Sequence, residues 1–174
     1  MANTYTLIEA KTLGSAQASV EFTSIPQTYT DLLLKLSIRT AGTSSVSYAF
    51  NGMTANNTTT GYSDVHLHGN GSSVGSFANA SATSYRQSIM SNNSSGTANT
   101  FASTEIYIPN YAGSTAKSIS VDSVNENNAT GAYAILSANL LSNTAAITSL
   151  QIFNLDADNL LANSTFYLYG ISKT

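Results

Sequence analysis

Apolar residues recur at every second position along most of this chain, a period that admits strands and leaves little room for helices. Ala16, Ala18, Val20 and Phe22 alternate with Gln17, Ser19 and Glu21. Leu32, Leu34, Leu36 and Ile38 alternate with Leu33, Lys35, Ser37 and Arg39, so the even-numbered positions are expected to face a core and Lys35, Ser37 and Arg39 to face outward. Further alternating or β-branched runs cover 46–50, 62–68, 101–108, 117–124, 132–141, 147–155 and 165–171. This predicts about nine or ten short strands. No stretch of a dozen residues carries a capped helical stripe; the best candidate, Ala132 to Leu141, reads equally as a strand.

Turn-rich segments separate these runs: Asn51-Gly52, Gly69-Asn70-Gly71, Asn92 to Gly96 and Asn125 to Gly131. Short strands at uneven spacing, without an internal repeat, predict one all-β domain over residues 1–174, an antiparallel β-sandwich with jelly-roll topology expected. Asn51 to Gly61 and Asn92 to Thr100 are long, nearly uncharged and rich in Ser, Thr, Asn and Gly. They are expected as loops at one end of the sandwich, placed either to meet a partner or as tolerant surface.

Composition then narrows the function. Only 9% of the residues are Asp, Glu, Lys or Arg, against about a quarter in an average soluble domain, and Ser, Thr, Asn and Ala take their place. Such a surface lacks a mixed charged coat, but it is cheap to bury because Ser, Thr and Ala lose little side-chain entropy and strand no charge under another subunit. A symmetric oligomer is expected from this. The formal charge is −3 with no basic run to follow a phosphate backbone, so nucleic acid is not an expected partner. There is no Cys, which excludes disulfides, thiolate metal sites and Cys nucleophiles. MANTYTLIEAK has neither a basic leader nor an apolar h-region, and apolar runs such as Leu32 to Leu34 are far short of a membrane span, so a soluble chain made without a signal peptide is expected, with no membrane partner. The Asn-x-Ser/Thr matches at Asn57, Asn79, Asn93, Asn128 and Asn163 follow from composition and are not read as glycosylation.

Chemistry finds few footholds. Asp64, His66 and His68 stand at i, i+2 and i+4, so a strand projects all three from one face, where they could supply oxygen and nitrogen ligands to a divalent metal. The competing reading is a polar outer face. Asp156 and Asp158 in NLDADN lack the glycine and closing Glu of a calcium loop and read as a solvated turn. There is no Gly-x-Ser-x-Gly elbow, no phosphate-cradling glycine loop, and both His lie on one strand. No residue is therefore assigned a catalytic, cofactor-binding or metal-binding role, and a non-enzyme is expected. Tyr167 and Tyr169 share a face of the last strand, as a sugar platform or as a core or subunit contact.

Several segments carry a resemblance in their order along the chain. FTSIPQTYTDLLLKLSIR, Phe22 to Arg39, is followed by Asn51-Gly52, IYIPNY at Ile106 to Tyr111, AITSLQIF at Ala146 to Phe153 and STFYLYGI at Ser164 to Ile171. Together they resemble a group of small virion structural proteins of tailed phages, over most of the chain from Phe22 to Ile171. The resemblance implies a β-sandwich, often jelly-roll-like, serving as a capsid cement or decoration subunit or as a tail or fibre component. The expectation drawn from it is a homotrimeric cement protein on the capsid exterior, bound to the major capsid protein. The alternative is a glycan-recognising tail or fibre module.

Overall fold

The computed structural model describes residues 4–128 and 131–172. Its regular elements are twelve strands: β1 (Tyr5–Thr12), β2 (Ser19–Phe22), β3 (Asp31–Ile38), β4 (Tyr48–Ala55), β5 (Tyr62–Gly69), β6 (Val74–Ala82), β7 (Tyr85–Asn92), β8 (Ala102–Ile108), β9 (Lys117–Asn125), β10 (Tyr133–Leu141), β11 (Leu150–Asn154) and β12 (Thr165–Ile171). They pair antiparallel in two packed sheets, one of eight strands in the order β1-β12-β3-β8-β9-β10-β5-β6 and one of four in the order β2-β11-β4-β7. The predicted all-β sandwich is thus observed. An eight-and-four division with a β8-β9-β10 meander does not by itself establish a jelly roll, whose eight strands form two Greek keys.

The core lies between the sheets and follows the period-two pattern. Leu32, Leu34, Leu36 and Ile38 of β3 are buried, as are Phe166 and Leu168 of β12 and Ile106 and Ile108 of β8. These meet Val20 and Phe22 of β2, Met53 of β4 and Ile152 of β11 in one cluster. Burial of each large aliphatic side chain contributes about 1.5–3 kcal/mol. On the opposite side of the same strands Lys35 and Glu105 pair at 2.5 Å in solvent. Such an exposed pair adds about 0–1 kcal/mol, so the aliphatic layer holds this end.

Beside the aliphatic core runs a buried polar seam. Ser88 Oγ of β7 is 2.9 Å from Ser137 Oγ and donates to Asn139 Oδ1 at 3.1 Å, both on β10. Ser123 Oγ of β9 accepts from the Met90 amide at 2.9 Å and lies 2.6 Å from Thr104 Oγ1 of β8. Buried hydroxyls and amides are tolerated only when paired in this way.

Four expectations are corrected. First, Arg39 does not face outward; its buried guanidinium donates to the carbonyls of Gly96, Thr97 and Thr100, tying β3 to the segment before β8. The last position of an alternating run escaped the pattern because the chain leaves the sheet there. Second, Asn51-Gly52 is not a turn. Both residues lie inside β4, and a Cβ at Gly52 would stand 2.8 Å from the Phe153 ring, so close packing explains that glycine. Third, residues 51–55 are strand, so the loop after β4 begins at Asn56. Fourth, the two long loops do not share an end: Tyr48 pairs with Asn92 and Met53 with Tyr85, so the loop after β4 and the loop after β7 leave opposite ends of that hairpin. Strands β1, β6 and β7 were not anticipated. In VGSFANASA and YRQSIMSN, small and polar residues occupy positions where a half-buried strand would show alternating bulk.

Candidate functional site

The two faces of the eight-stranded sheet exchange polarity along its width. Register aligns Val121, Ser137, His66 and Phe77 across β9, β10, β5 and β6, and aligns Ile119, Asn139, Asp64 and Asn79 in the next row. These rows face the four-stranded sheet and become polar toward β5 and β6. The reverse side of the same strands carries Val65, Leu67, Val74, Val124, Leu136 and Leu140, all exposed. Leu67 is 62% and Val74 90% exposed, an inversion of the usual burial order.

Asp64, His66 and His68 do project from one face, as their spacing requires, but it is the inward one; the polar outer face is corrected. Asp64 and His66 are each 5% exposed. Asp64 accepts from Asn79 Nδ2 at 3.2 and 3.3 Å, and His66 Nδ1 lies 4.0 Å from Asp64 Oδ2. Burial pushes the Asp64 carboxyl above its ordinary range; Asn79 and His66 oppose this. Burial, reinforced by the neighbouring His68, pushes His66 below the ordinary imidazole value. No group of three or more His, Cys, Asp or Glu side chains is arranged to hold a metal ion among the described residues.

The histidines belong instead to an arc of rings. Phe77 stacks on His66 at 5.5 Å, His66 lies 5.4 Å from His68, and His68 lies 5.6 Å from Tyr133. Tyr133 meets Tyr48 edge-on at 4.7 Å, and Tyr48 meets Phe50 at 5.6 Å. Burial and the Tyr133 hydroxyl push the Tyr48 phenol up to about 12, so it stays protonated. The arc exists because β6 extends past the four-stranded sheet: Phe77 points inward yet is 43% exposed. A cleft of about 210 Å³ opens there, bounded by Tyr48, Phe50, His66, His68, Phe77 and Gln87.

Gln87 reaches this cleft through a bulge. Asn51 pairs with Ile89 and Met53 with Tyr85, so three residues of β7 oppose Gly52 alone, and Gln87 adopts a φ of 58°. A non-glycine residue held in the left-handed region within a strand is strained and is re-aimed by the bulge. Across the hairpin, Gly75 admits the His68 ring: a Cβ there would lie 2.8 Å from both Cε1 and Nε2.

The remaining candidates lie elsewhere. Asn154 Oδ1 accepts from the amides of Asp156 and Asp158 at 2.9 and 3.3 Å, which makes NLDADN an Asx-stabilised turn. Tyr167 and Tyr169 sit half-buried on the outward face while Phe166 and Leu168 fill the core. Sequence reasoning missed Phe77 and Gln87, which lie on unanticipated strands, and Lys117. That buried ammonium donates to the carbonyls of Gly113, Thr115, Thr144 and Ala145 at 2.6–3.0 Å, pinning two loops together. No family model matches the chain, and no curated protein matches it in sequence.

Proposed function

We propose that this chain is a non-enzymatic structural subunit of a tailed-phage virion: a cement or decoration protein that sits as a homotrimer on the outside of the assembled shell and binds its major capsid protein. The observation that carries this reading is the outward face of β9, β10, β5 and β6. Leu67 opposes Leu136 across one strand pair, and Val65 opposes Ala138 across the same pair. Leu67 and Leu136, with Val124 and Val74, line a shallow depression of about 680 Å³ in which Asp122 is the only charged side chain, and Val65 and Ala138 line a second depression. Contiguous apolar surface of this kind marks a face that another protein covers.

The edge beside it supports the same reading. Among the described residues β6 pairs with β5 alone, and its nine residues contain no Lys, Arg, Asp, Glu or Pro to discourage pairing with a further strand. β1, at the other edge, carries the Glu9–Lys11 pair at 3.0 Å. The order of phage-like segments from Phe22 to Ile171 adds the kind of particle.

A cement protein binds the assembled shell in preference to its free subunits and stabilises it by mass action. Particles lacking the chain are expected to assemble and package but to rupture at lower temperature, with host adsorption unchanged. Adding back Leu67→Asp/Leu136→Asp protein should leave them fragile, since the variant keeps its fold and loses the face. Normal shell stability with lost adsorption would overturn the proposal and favour a tail or fibre module.

A further inference from the structure

The geometry points to a second site, independent of whether the chain coats a shell: the aromatic cleft between β5–β6 and β4–β7 binds a single neutral sugar ring of a glycan. Among the described residues neither His66 nor His68 makes a hydrogen bond: buried His66 Nδ1 has only the Asp64 carboxylate 4.0 Å away, and His68 Nδ1 is buried with no hydrogen-bond partner. Buried polar groups are nearly always hydrogen-bonded, so two imidazoles side by side without a hydrogen bond indicate a site whose donors and acceptors come from outside the chain.

The lining selects the chemistry of that partner. Tyr48, Phe50, His66, His68, Phe77, Gln87 and Tyr133 bound the cleft together with Ile135, without any Asp, Glu, Lys or Arg. A cationic ligand would find no carboxylate and an anionic one no guanidinium or ammonium. A purely apolar ligand would leave two imidazoles and an amide without hydrogen bonds. A pyranose satisfies both demands. Its C–H face packs on an aromatic ring such as Phe77, and its hydroxyls both donate and accept, as neutral imidazole and a glutamine amide do. The cleft of about 210 Å³ is smaller than the ~300–1,000 Å³ typical of drug-sized ligands, which fits one ring. The strain at Gln87 has a purpose here, because the bulge brings this residue into the lining of the cleft.

Saturation-transfer NMR on the intact protein tests this with glucose, galactose, mannose and N-acetylglucosamine presented singly at about 10 mM, a concentration suited to millimolar binding. Choline and glucose 6-phosphate serve as charged comparators. At least one neutral sugar should receive saturation on its ring protons and neither comparator should. Phe77→Ala should weaken that sugar by about tenfold, the loss expected for one aromatic contact. Gln87→Gly should also weaken it while raising or preserving the melting temperature, because glycine relieves the left-handed φ. That second variant decides the matter if Phe77→Ala proves unstable. Saturation of none of the four sugars, stronger saturation of choline or glucose 6-phosphate, or wild-type affinity in Gln87→Gly would overturn the inference.

Discussion

The β12-β3-β8 part of the large sheet and its β10-β5-β6 part are built from the same alternation, yet they solve opposite problems. At the first, Leu34, Ile106 and Leu168 face inward with no exposure, and Lys35 and Glu105 face water. At the second, Asp64 and His66 are inside, and Leu67 and Leu136 are outside at 62% and 60% exposure. The difference teaches that alternation fixes which residues share a face but not which face is buried. The small sheet decides that, by covering one side of every strand it reaches regardless of polarity. The first part buries its apolar side within the isolated fold, whereas the second gives up hydrophobic stabilisation by leaving Leu67 and Leu136 in solvent.

The sharpest way to break this comparison is truncation on each side of it. Leu34→Ala should cost about 2–5 kcal/mol in a chemical or thermal melt, since it leaves a cavity in the packed layer. Leu67→Ala should stay within about 0.5 kcal/mol in the isolated protein, as surface substitutions do. A comparable loss at Leu67 would mean that the outward apolar face is already buried in the free protein.

A pair of tyrosines at the polar part gives a smaller effect of opposite signs. Tyr62 and Tyr85 meet edge-on at 4.8 Å and are both 1% exposed. The Tyr62 hydroxyl accepts from the Ala55 amide at 2.9 Å and lies 2.9 Å from Thr58 Oγ1, whereas the Tyr85 hydroxyl has no hydrogen-bond partner among the described residues. Tyr62→Phe should cost about 1–3 kcal/mol by orphaning the Ala55 amide, and Tyr85→Phe should stabilise by up to about 1 kcal/mol by removing a stranded hydroxyl. Equal losses in the two melts would show that ring packing alone governs both.

The smallest expected effect is on pH dependence. Burial holds the His66 pKa below 6.5, so as pH falls through the window from 6.5 to the folded value the unfolded chain takes up a proton that the folded one resists, and stability drops. Asp64 works in the other direction: its folded pKa lies above 3.8, so its contribution weakens as pH rises from 3.8 through the folded value and recovers on acidification. Melting temperature measured from about pH 7 down to about pH 3.5 should therefore fall less in His66→Gln than in wild type and more in Asp64→Asn. Identical slopes in all three proteins would place His66 in solvent rather than inside.

Much of the fold could be read from residues. Thr165 to Ile171 is a strand as expected, and Leu32 to Ile38 has the expected register, because apolar Leu32, Leu34, Leu36 and Ile38 fall on one parity while Lys35 and Ser37 fall on the other. In β6 they do not: Ser76, Ala78 and Ala80 are too small to mark a face, so an edge strand of nine residues was invisible. The candidate cleft was legible only in part. Spacing placed Asp64, His66 and His68 together, but their inward orientation depends on the small sheet, and Gln87 depends on a bulge that no local composition signals. Lys117 gave no warning of its four carbonyl partners, since two of them, Thr144 and Ala145, come from a loop distant in sequence.

The strand that holds Asn51-Gly52 has a consequence for how the molecule ages. Deamidation of asparagine requires the following backbone nitrogen to fold back onto the side-chain carbonyl, and a glycine successor normally makes that easy. In β4 the backbone is paired on both sides, and the Asn51 side chain donates to the Ile89 carbonyl at 3.2 Å. Asn70-Gly71 occupies the β5–β6 turn, exposed, with its side-chain oxygen accepting from the amides of Ser72 and Ser73. Of two identical dipeptides, the one at the tip is expected to deamidate first, which would add negative charge beside the apolar face, and peptide mapping of aged protein checks which asparagine has changed.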